Sequence, residues 1–379
     1  MNILVVSPSF PTSKTVDFVF VDQLCQAFAN LGHNVTIIAP QSLTKCLLRS
    51  VPLSKKHSFY STAEGKQIEL FRPYSITLGN TKSKLFKHSF DDAVRRAFRR
   101  LRIKPDVCYG HFWKAIFALY PIAKDNNIPL FGASGEEDVA RYVHKIKEEK
   151  DSLQKYISGL VCVSSKNQQE CLSLNLIAKD KSEVIPNAVD LSLFTKLDKK
   201  QCRETLGINI NDFVVAFVGQ FVKRKGLSVL DKALQEIGDE SIKALYIGSG
   251  EIDPQYKGTF YKGFVRHSDL PLYLNAADVF VLPTKNEGCC NAIIEAMACG
   301  LPVISTDAEF NHDILNESNS ILINVGEENL RAAILKIKDD LDYRLSLGNN
   351  AYSSAQNLSI QRRAGRIIDF MKYKMNYDN

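Results

Sequence analysis

Asp278-Val279-Phe280-Val281-Leu282-Pro283 and Pro302-Val303-Ile304-Ser305 are two short apolar runs of the kind that form buried parallel strands. Between them lie a small-residue loop opening on Glu287 and an apolar, helix-forming run containing Glu295. The order predicts strand, loop, helix, strand: a parallel βαβ crossover with a polar loop at the carboxyl end of its first strand. Ligands bind at that edge in open α/β sheets. Two carboxylates eight residues apart stand there, and the chemistry of the chain turns on what they do.

The same alternation recurs along the chain. Asn2 to Ser7 reads as a strand, Phe18 to Leu31 as a helix stopped by Gly32, and Val35 to Ala39 as a second strand. This opening is Rossmann-like but lacks Gly-x-Gly-x-x-Gly, which argues against a dinucleotide enzyme. Residues 41–66 read as irregular. Asp106 to Gly110 is a strand with His111 directly after it. Pro129-Leu130-Phe131 is another, followed by the small residues Gly132 to Gly135 and the carboxylates Glu136, Glu137 and Asp138. Leu160 to Val163 and Glu183 to Pro186 close the first series.

Pro186-Asn187-Ala188-Val189-Asp190 leads to a polar stretch, Lys196 to Glu204, where a linker is expected. Phe213 to Gly219 begins a second α/β series. Gln220-Phe221-Val222-Lys223-Arg224-Lys225-Gly226 then places three consecutive cations at a strand end and ahead of a helix, which suits phosphates as well as a solvated surface. Strands are read at Lys243 to Gly248, ending in Gly248-Ser249-Gly250, and at Tyr261 to Val265. A helix is read at Leu270 to Ala277, more helices over 326–356, and a last one from Ser359 to Met375.

The 379 residues suit two domains, and no apolar run reaches the roughly 18 residues of a membrane-spanning helix. The nine cysteines show no Cys-x-x-Cys pair, and the first residues read as a strand instead of a signal peptide, so reduced thiols in the cytoplasm are expected. Net charge is +6, but residues 1–190 carry 26 Lys/Arg against 18 Asp/Glu and the remainder 22 against 24. The basic first half fits an anionic partner such as a phosphorylated substrate, an anionic membrane surface or nucleic acid, and equally a plain solubilising surface. Lys82 to Lys104 concentrates nine of these cations around a helical stripe of Phe90, Val94, Phe98 and Leu101. No stacking aromatics are interleaved with them, which argues against nucleic acid.

These motifs, in this order, resemble the retaining glycosyltransferases of family 4. That resemblance implies an α/β fold of the GT-B type: two facing Rossmann-like, doubly wound domains with a final helix crossing back to the first. Expected boundaries are 1–192 for an acceptor-binding domain, 193–355 for a nucleotide-sugar-binding domain and 356–379 for the returning helix. The likeness is strongest from Pro186 to Ser305 and most specific in Glu287 to Glu295. It implies that Glu295 binds the ribose hydroxyls of a nucleotide sugar and that Glu287 faces the donor sugar near its reacting carbon. The backbone of Gly288, Cys289, Cys290 and Asn291 would meet the sugar and diphosphate. Lys225, helped by Arg224, would neutralise the leaving diphosphate; His111 would sit beside the sugar at the interdomain cleft; Phe264 and Val265 would contact the base. Catalysis would rest on Glu287, His111 and Lys225.

The implied reaction moves a sugar, with retention, from a nucleotide diphosphate sugar to a hydroxyl acceptor on a glycan or lipid carrier, as in cell-surface polysaccharide or glycolipid synthesis. No metal or cofactor is expected: the nucleotide sugar is a substrate, and Asp340-Leu341-Asp342 lies in a helical, charged stretch. The chain departs from the family pattern at Gln220, where arginine is usual; at Lys14-Thr15-Val16-Asp17, where glycine is usual; and at Cys289-Cys290, which replaces an aromatic-then-small pair. A two-carboxylate hydrolase is the rival chemistry and would need both carboxyl groups to flank one bond. An epimerase, or a nucleotide-sugar-binding protein without turnover, keeps the fold and changes the reaction.

Overall fold

A computed structural model describes residues 1–12, 18–49, 52–76, 89–140 and 150–377. The chain forms two compact units, one of residues 1–185 with 361–379 and one of 186–360. The strands of the first unit are β1 (Asn2–Val6), β2 (Asn34–Ile38), β3 (Gln41–Ser42), β4 (His57–Ser61), β5 (Gln67–Phe71), β6 (Tyr74–Ser75), β7 (Val107–His111), β8 (Leu130–Ser134), β9 (Gly159–Cys162) and β10 (Ser182–Val184).

Eight of these form one sheet in the order β10-β9-β8-β7-β1-β2-β5-β4, with only β4 antiparallel to its neighbour; β3 and β6 pair separately. The chain builds outward from β1 through β2 and β5, then returns to β7 and builds the other way. The order therefore reverses between β1 and β7, the switch point at which such sheets bind ligands. Strands β7, β8 and β9 are buried throughout, as continuous apolar runs flanked by helices must be. Helix Val19–Asn30 turns Val21, Leu24, Cys25 and Phe28 inward, and Gly32 ends it at φ 85°.

Three expectations are corrected here. Residues 41–66 are not irregular: they hold β3, the helix Leu43–Arg49 and β4. Strand β4 alternates exposed and half-buried residues, an edge pattern too weakly apolar to stand out in sequence. His111 does not follow its strand; it is the last residue of β7. Gly132 to Ser134 belong to β8 instead of a loop. A side chain at Gly132 would run into Ile116 of the helix Trp113–Asp125, so the glycine is a packing requirement of the strand. Of the basic segment, residues 82–88 lie outside the described residues, as does Lys14 to Asp17. The helix Ser89–Phe98 buries Phe90 and Val94 beside Ala93 and Ala97, while Arg95, Arg96, Arg99, Arg100 and Arg102 are exposed.

The second unit holds β11 (Phe213–Val218), β12 (Ile242–Ile247), β13 (Thr259–Gly263), β14 (Val279–Leu282), β15 (Val303–Thr306) and β16 (Ser320–Ile323), all parallel in the order β13-β12-β11-β14-β15-β16. Its order reverses between β11 and β14. The loops leaving the carboxyl ends of these two strands are the cation loop, 219–226, and the Glu287 loop, 283–290. The helix Ile360–Tyr377 carries the chain back to the first unit, where Phe370 meets Phe131 edge-on at 6.0 Å and Arg363 donates to the Ile185 carbonyl at 2.9 Å.

Candidate active site

The two loops at the β11/β14 switch point meet through their side chains. Gly226 stands at φ 75°, and a Cβ there would overlap the Pro283 backbone oxygen. Only glycine therefore lets the cation loop lie against the end of β14. Lys285 N donates to Arg224 O at 2.9 Å and fixes the approach. Both cations then reach one carboxylate oxygen: Arg224 Nη1 and Lys225 Nζ each lie 2.6 Å from Glu287 Oε1, and Thr284 Oγ1 donates to the same atom at 3.0 Å. Arg224 Nη1 also donates to Asn286 O at 2.7 Å. Among the described residues, two cations here meet one carboxylate. The cluster stands at the N-terminus of the helix Leu227–Ile237, where backbone amides add to the attraction for an anion.

Burial works against the charge of Lys225. The nearby Cys290 sulfur, when ionised, and the Glu287 carboxylate outweigh it, so the ammonium is held above its ordinary value. Burial pushes the Cys290 thiol up, against the pull of Lys225, so at neutral pH Glu287 is the partner that matters. Cys289 and Cys290 are both buried, and Asn187 Nδ2 donates to Cys289 O at 2.9 Å. Gly288 is buried in the same loop, and Asn291 opens the helix Asn291–Ala298 with a buried Oδ1 that has no hydrogen-bond partner among the described residues.

Glu295 lies on the next turn of that helix, 13% exposed, with Oε1 2.9 Å from His267 Nε2. Phe264, 63% exposed, and Val265, half-buried, lie just upstream of His267. Gln220 is exposed and takes no part in the Glu287 cluster; its carbonyl accepts from Val222 N. The glycines of Gly248-Ser249-Gly250 have a packing cause, since a Cβ on either would strike the backbone of Gly219 or Phe221.

His111 belongs to the first unit, at the β1/β7 switch point. It is buried, its Nδ1 has no hydrogen-bond partner among the described residues, and the rings of Phe20 and Phe112 lie 5.4 and 4.6 Å away. Burial, with Arg363 nearby, lowers its pKa to about 3. The imidazole is therefore neutral at any physiological pH and can exchange hydrogen bonds but not carry a stable charge. Phe112 holds φ 75° and ψ 160°, a conformation that costs a non-glycine residue on the order of 1–3 kcal/mol. Glu136, in contrast, is fully engaged within the protein: it accepts from Trp113 N at 2.8 Å and Gly135 N at 3.0 Å, which caps the helix Trp113–Asp125.

Sequence reasoning missed Thr284, Asn187 as a tie to the Cys289 carbonyl, and His267. It also missed Asn311, which bonds Ser305 Oγ at 3.1 Å and Thr306 O at 2.8 Å under the ends of β14 and β15. The polar pair Ser305-Thr306 closing an apolar strand was the one signal for this network. Among the described residues, no group of three or more His, Cys, Asp and Glu could hold a metal ion, and no helix is long and apolar enough to cross a membrane.

Two doubly wound sheets, one carrying a carboxylate bridged to two cations at its switch point, define the GT-B class. The comparisons with known proteins agree. The family model for group 1 glycosyltransferases matches residues 212–340, and that for glycosyltransferase family 4 matches residues 18–193. A Bacillus subtilis protein carrying the name teichuronic acid biosynthesis glycosyltransferase TuaC is 27% identical over 369 residues, spanning 94% of each chain. An Escherichia coli UDP-Gal:alpha-D-GlcNAc-diphosphoundecaprenol alpha-1,3-galactosyltransferase is 28% identical over 57% of this chain and 60% of its own. Among solved structures, sucrose-phosphate synthase from Thermosynechococcus elongatus superposes with a TM-score of 0.79 at 19% identity, covering 99% of both chains. Anabaena HepE in complex with UDP-glucose gives 0.74 at 18% identity, covering 98% of this chain and 100% of its own. The fold is GT-B, and the chain belongs to the group 1, family 4 glycosyltransferases.

Proposed function

We propose that this glycosyltransferase moves a sugar, with retention, from a nucleoside diphosphate sugar held by the second unit to a hydroxyl acceptor, in the synthesis of a cell-surface polysaccharide or glycolipid. The observation that carries the reading is the joining of Arg224, Lys225 and Glu287 at one switch point. As the bond to the donor sugar breaks, negative charge develops on the diphosphate oxygens and positive charge on the sugar carbon. Preorganised cations stabilise the first, and a carboxylate beside the carbon stabilises the second. The cluster holds both kinds of charge in contact before any ligand arrives.

Glu295 accepts both hydroxyls of the ribose, and Phe264 offers a ring to the base. His111, held neutral in the first unit, can exchange hydrogen bonds but takes no part as an acid. The amides of Gly288 to Asn291 meet the sugar and diphosphate, and the nucleotide sugar is a substrate with no resident metal or cofactor in the scheme. A UDP-sugar is the first donor to test, because HepE is in complex with UDP-glucose and the Escherichia coli relative is named for UDP-Gal. That relative's acceptor is a diphosphoundecaprenol-linked sugar, and an anionic lipid carrier of this kind suits the basic first half of the chain, with peripheral contact at an anionic membrane.

The test is release of nucleoside diphosphate from a donor panel with lipid-linked and free glycan acceptors. Turnover is expected, with anomeric configuration kept in the product. Glu295→Ala is expected to weaken donor binding and Glu287→Ala to lower turnover chiefly. Donors that bind well but give no product with any acceptor would overturn the transferase chemistry, and a Glu287→Ala rate equal to wild type would remove its central residue.

A further inference from the structure

Glu295 is held by a second side chain from a different part of the second unit. His267 lies in the turn after β13, and its Nε2 is 2.9 Å from Glu295 Oε1. Phe194, buried in the segment that follows Asp190, braces the imidazole edge-on with ring centroids 5.0 Å apart. Three stretches far apart in sequence thus converge on one carboxylate. The turn that supplies His267 also supplies Phe264, so the contact ties the exposed ring to the helix carrying Glu295. The other Glu295 oxygen makes no hydrogen bond among the described residues.

We propose that His267 is a positioning residue for Glu295: it holds one carboxylate oxygen, leaves the other to the nucleotide's vicinal diol, and offsets negative charge beside an anionic ligand. The proposal rests on the nucleoside diphosphate reading above.

The charged groups that face His267 are Glu295 from the helix Asn291–Ala298 and Asp190 from the segment bearing Phe194. Asp269, on its own turn, is engaged by Arg266 Nε at 2.8 Å. Burial opposes protonation of His267, but the hydrogen bond and charge of Glu295, then Asp190, outweigh it and hold the imidazole above its ordinary value. Below that value the His267–Glu295 pair is neutral overall. As pH rises through it, the proton leaves; the imidazole still donates in one tautomer, but Glu295 then stands uncompensated next to a diphosphate. Affinity for the nucleotide is therefore expected to fall with rising pH while the geometry of Glu295 is kept.

Calorimetric binding of UDP, ADP and GDP between pH 5.5 and 8.5 tests this on the full chain. Wild type is expected to weaken by roughly three- to tenfold across the step, the scale of a partly buried charge pair. His267→Gln keeps a donor that does not titrate, so its affinity should stay near the high-pH level of wild type, apart from the diphosphate's own titration, which both proteins share. His267→Ala should bind more weakly than the glutamine variant at every pH. A wild-type pH step retained in His267→Gln, or wild-type binding in His267→Ala, overturns the proposal. An NMR titration of the His267 ring, without ligand, reads the pair directly. Its pKa should drop in Glu295→Gln, and no change would also overturn it. If that titration reports the pair yet no nucleoside diphosphate binds wild type, the nucleotide reading of the site is what fails, and the functional part of this proposal falls with it.

Discussion

Lys225 and His111 illustrate how burial acts in opposite senses on two basic groups. Lys225 is buried but has Glu287 at 2.6 Å, so its charge is kept; His111 is buried with Arg363 nearby and no anionic partner among the described residues, so its charge is lost. One stays a cation at the β11/β14 switch point, and the other stays neutral. Lys225→Ala is expected to lower kcat/KM by about 2–4 kcal/mol of transition-state stabilisation, as for other preorganised donors to a developing charge. Steady-state kinetics with the preferred donor measure it, and a loss confined to KM would mean that Lys225 binds ground and transition states alike. The cation run was legible in sequence. That Glu287 is its partner was not, because 62 residues separate Lys225 from Glu287 in the chain and only the adjacency of β11 and β14 joins them.

At the scale of elements, the base of the second unit is held by Asp278 immediately before β14. Its Oδ2 is 2.6 Å from Arg203 Nη2 and accepts from Val214 N at 2.7 Å, and its Oδ1 is 2.9 Å from Lys199 Nζ. The helix Lys199–Leu206 is thereby pinned to β11 and β14. Removing one partner of such a pair strands a buried charge, so Asp278→Ala should cost about 3–5 kcal/mol in denaturant unfolding. Burial raises the Asp278 carboxyl, but Lys199 and Arg203 outweigh it and hold it below the ordinary value. Its contribution is therefore fully present above about pH 3.9 and lost as pH falls through the lower folded value. The gap between wild type and Asp278→Ala should accordingly hold from pH 7 down to about pH 3.9 and narrow only below it.

Over the whole molecule, the first unit is discontinuous: residues 361–379 complete it after the second unit has been built. Phe370 of the last helix packs on Phe131, and a side chain at Gly159 would strike its ring. Phe370→Ala should destabilise the first unit by about 3–5 kcal/mol, read as an earlier thermal transition, while nucleoside diphosphate affinity of the second unit is unchanged. A parallel loss of nucleotide binding would show that the stability of the two units is not separable in this way.

The buried parallel strands and the helices of the second unit were legible in the sequence, because continuous apolar runs and their punctuating glycines are local signals, whereas the weakly apolar edge strand β4 was not. The sequence by itself also determined the identity of the carboxylates and cations, because the Glu287 to Glu295 block and the Lys225-Gly226 turn are contiguous. Tertiary structure alone decided which of these groups touch. The order β13-β12-β11-β14-β15-β16 puts two loops side by side at one switch point, and the turn after β13 brings His267 to Glu295. Such contacts depend on which strands neighbour one another, and no periodicity within a strand or helix records that.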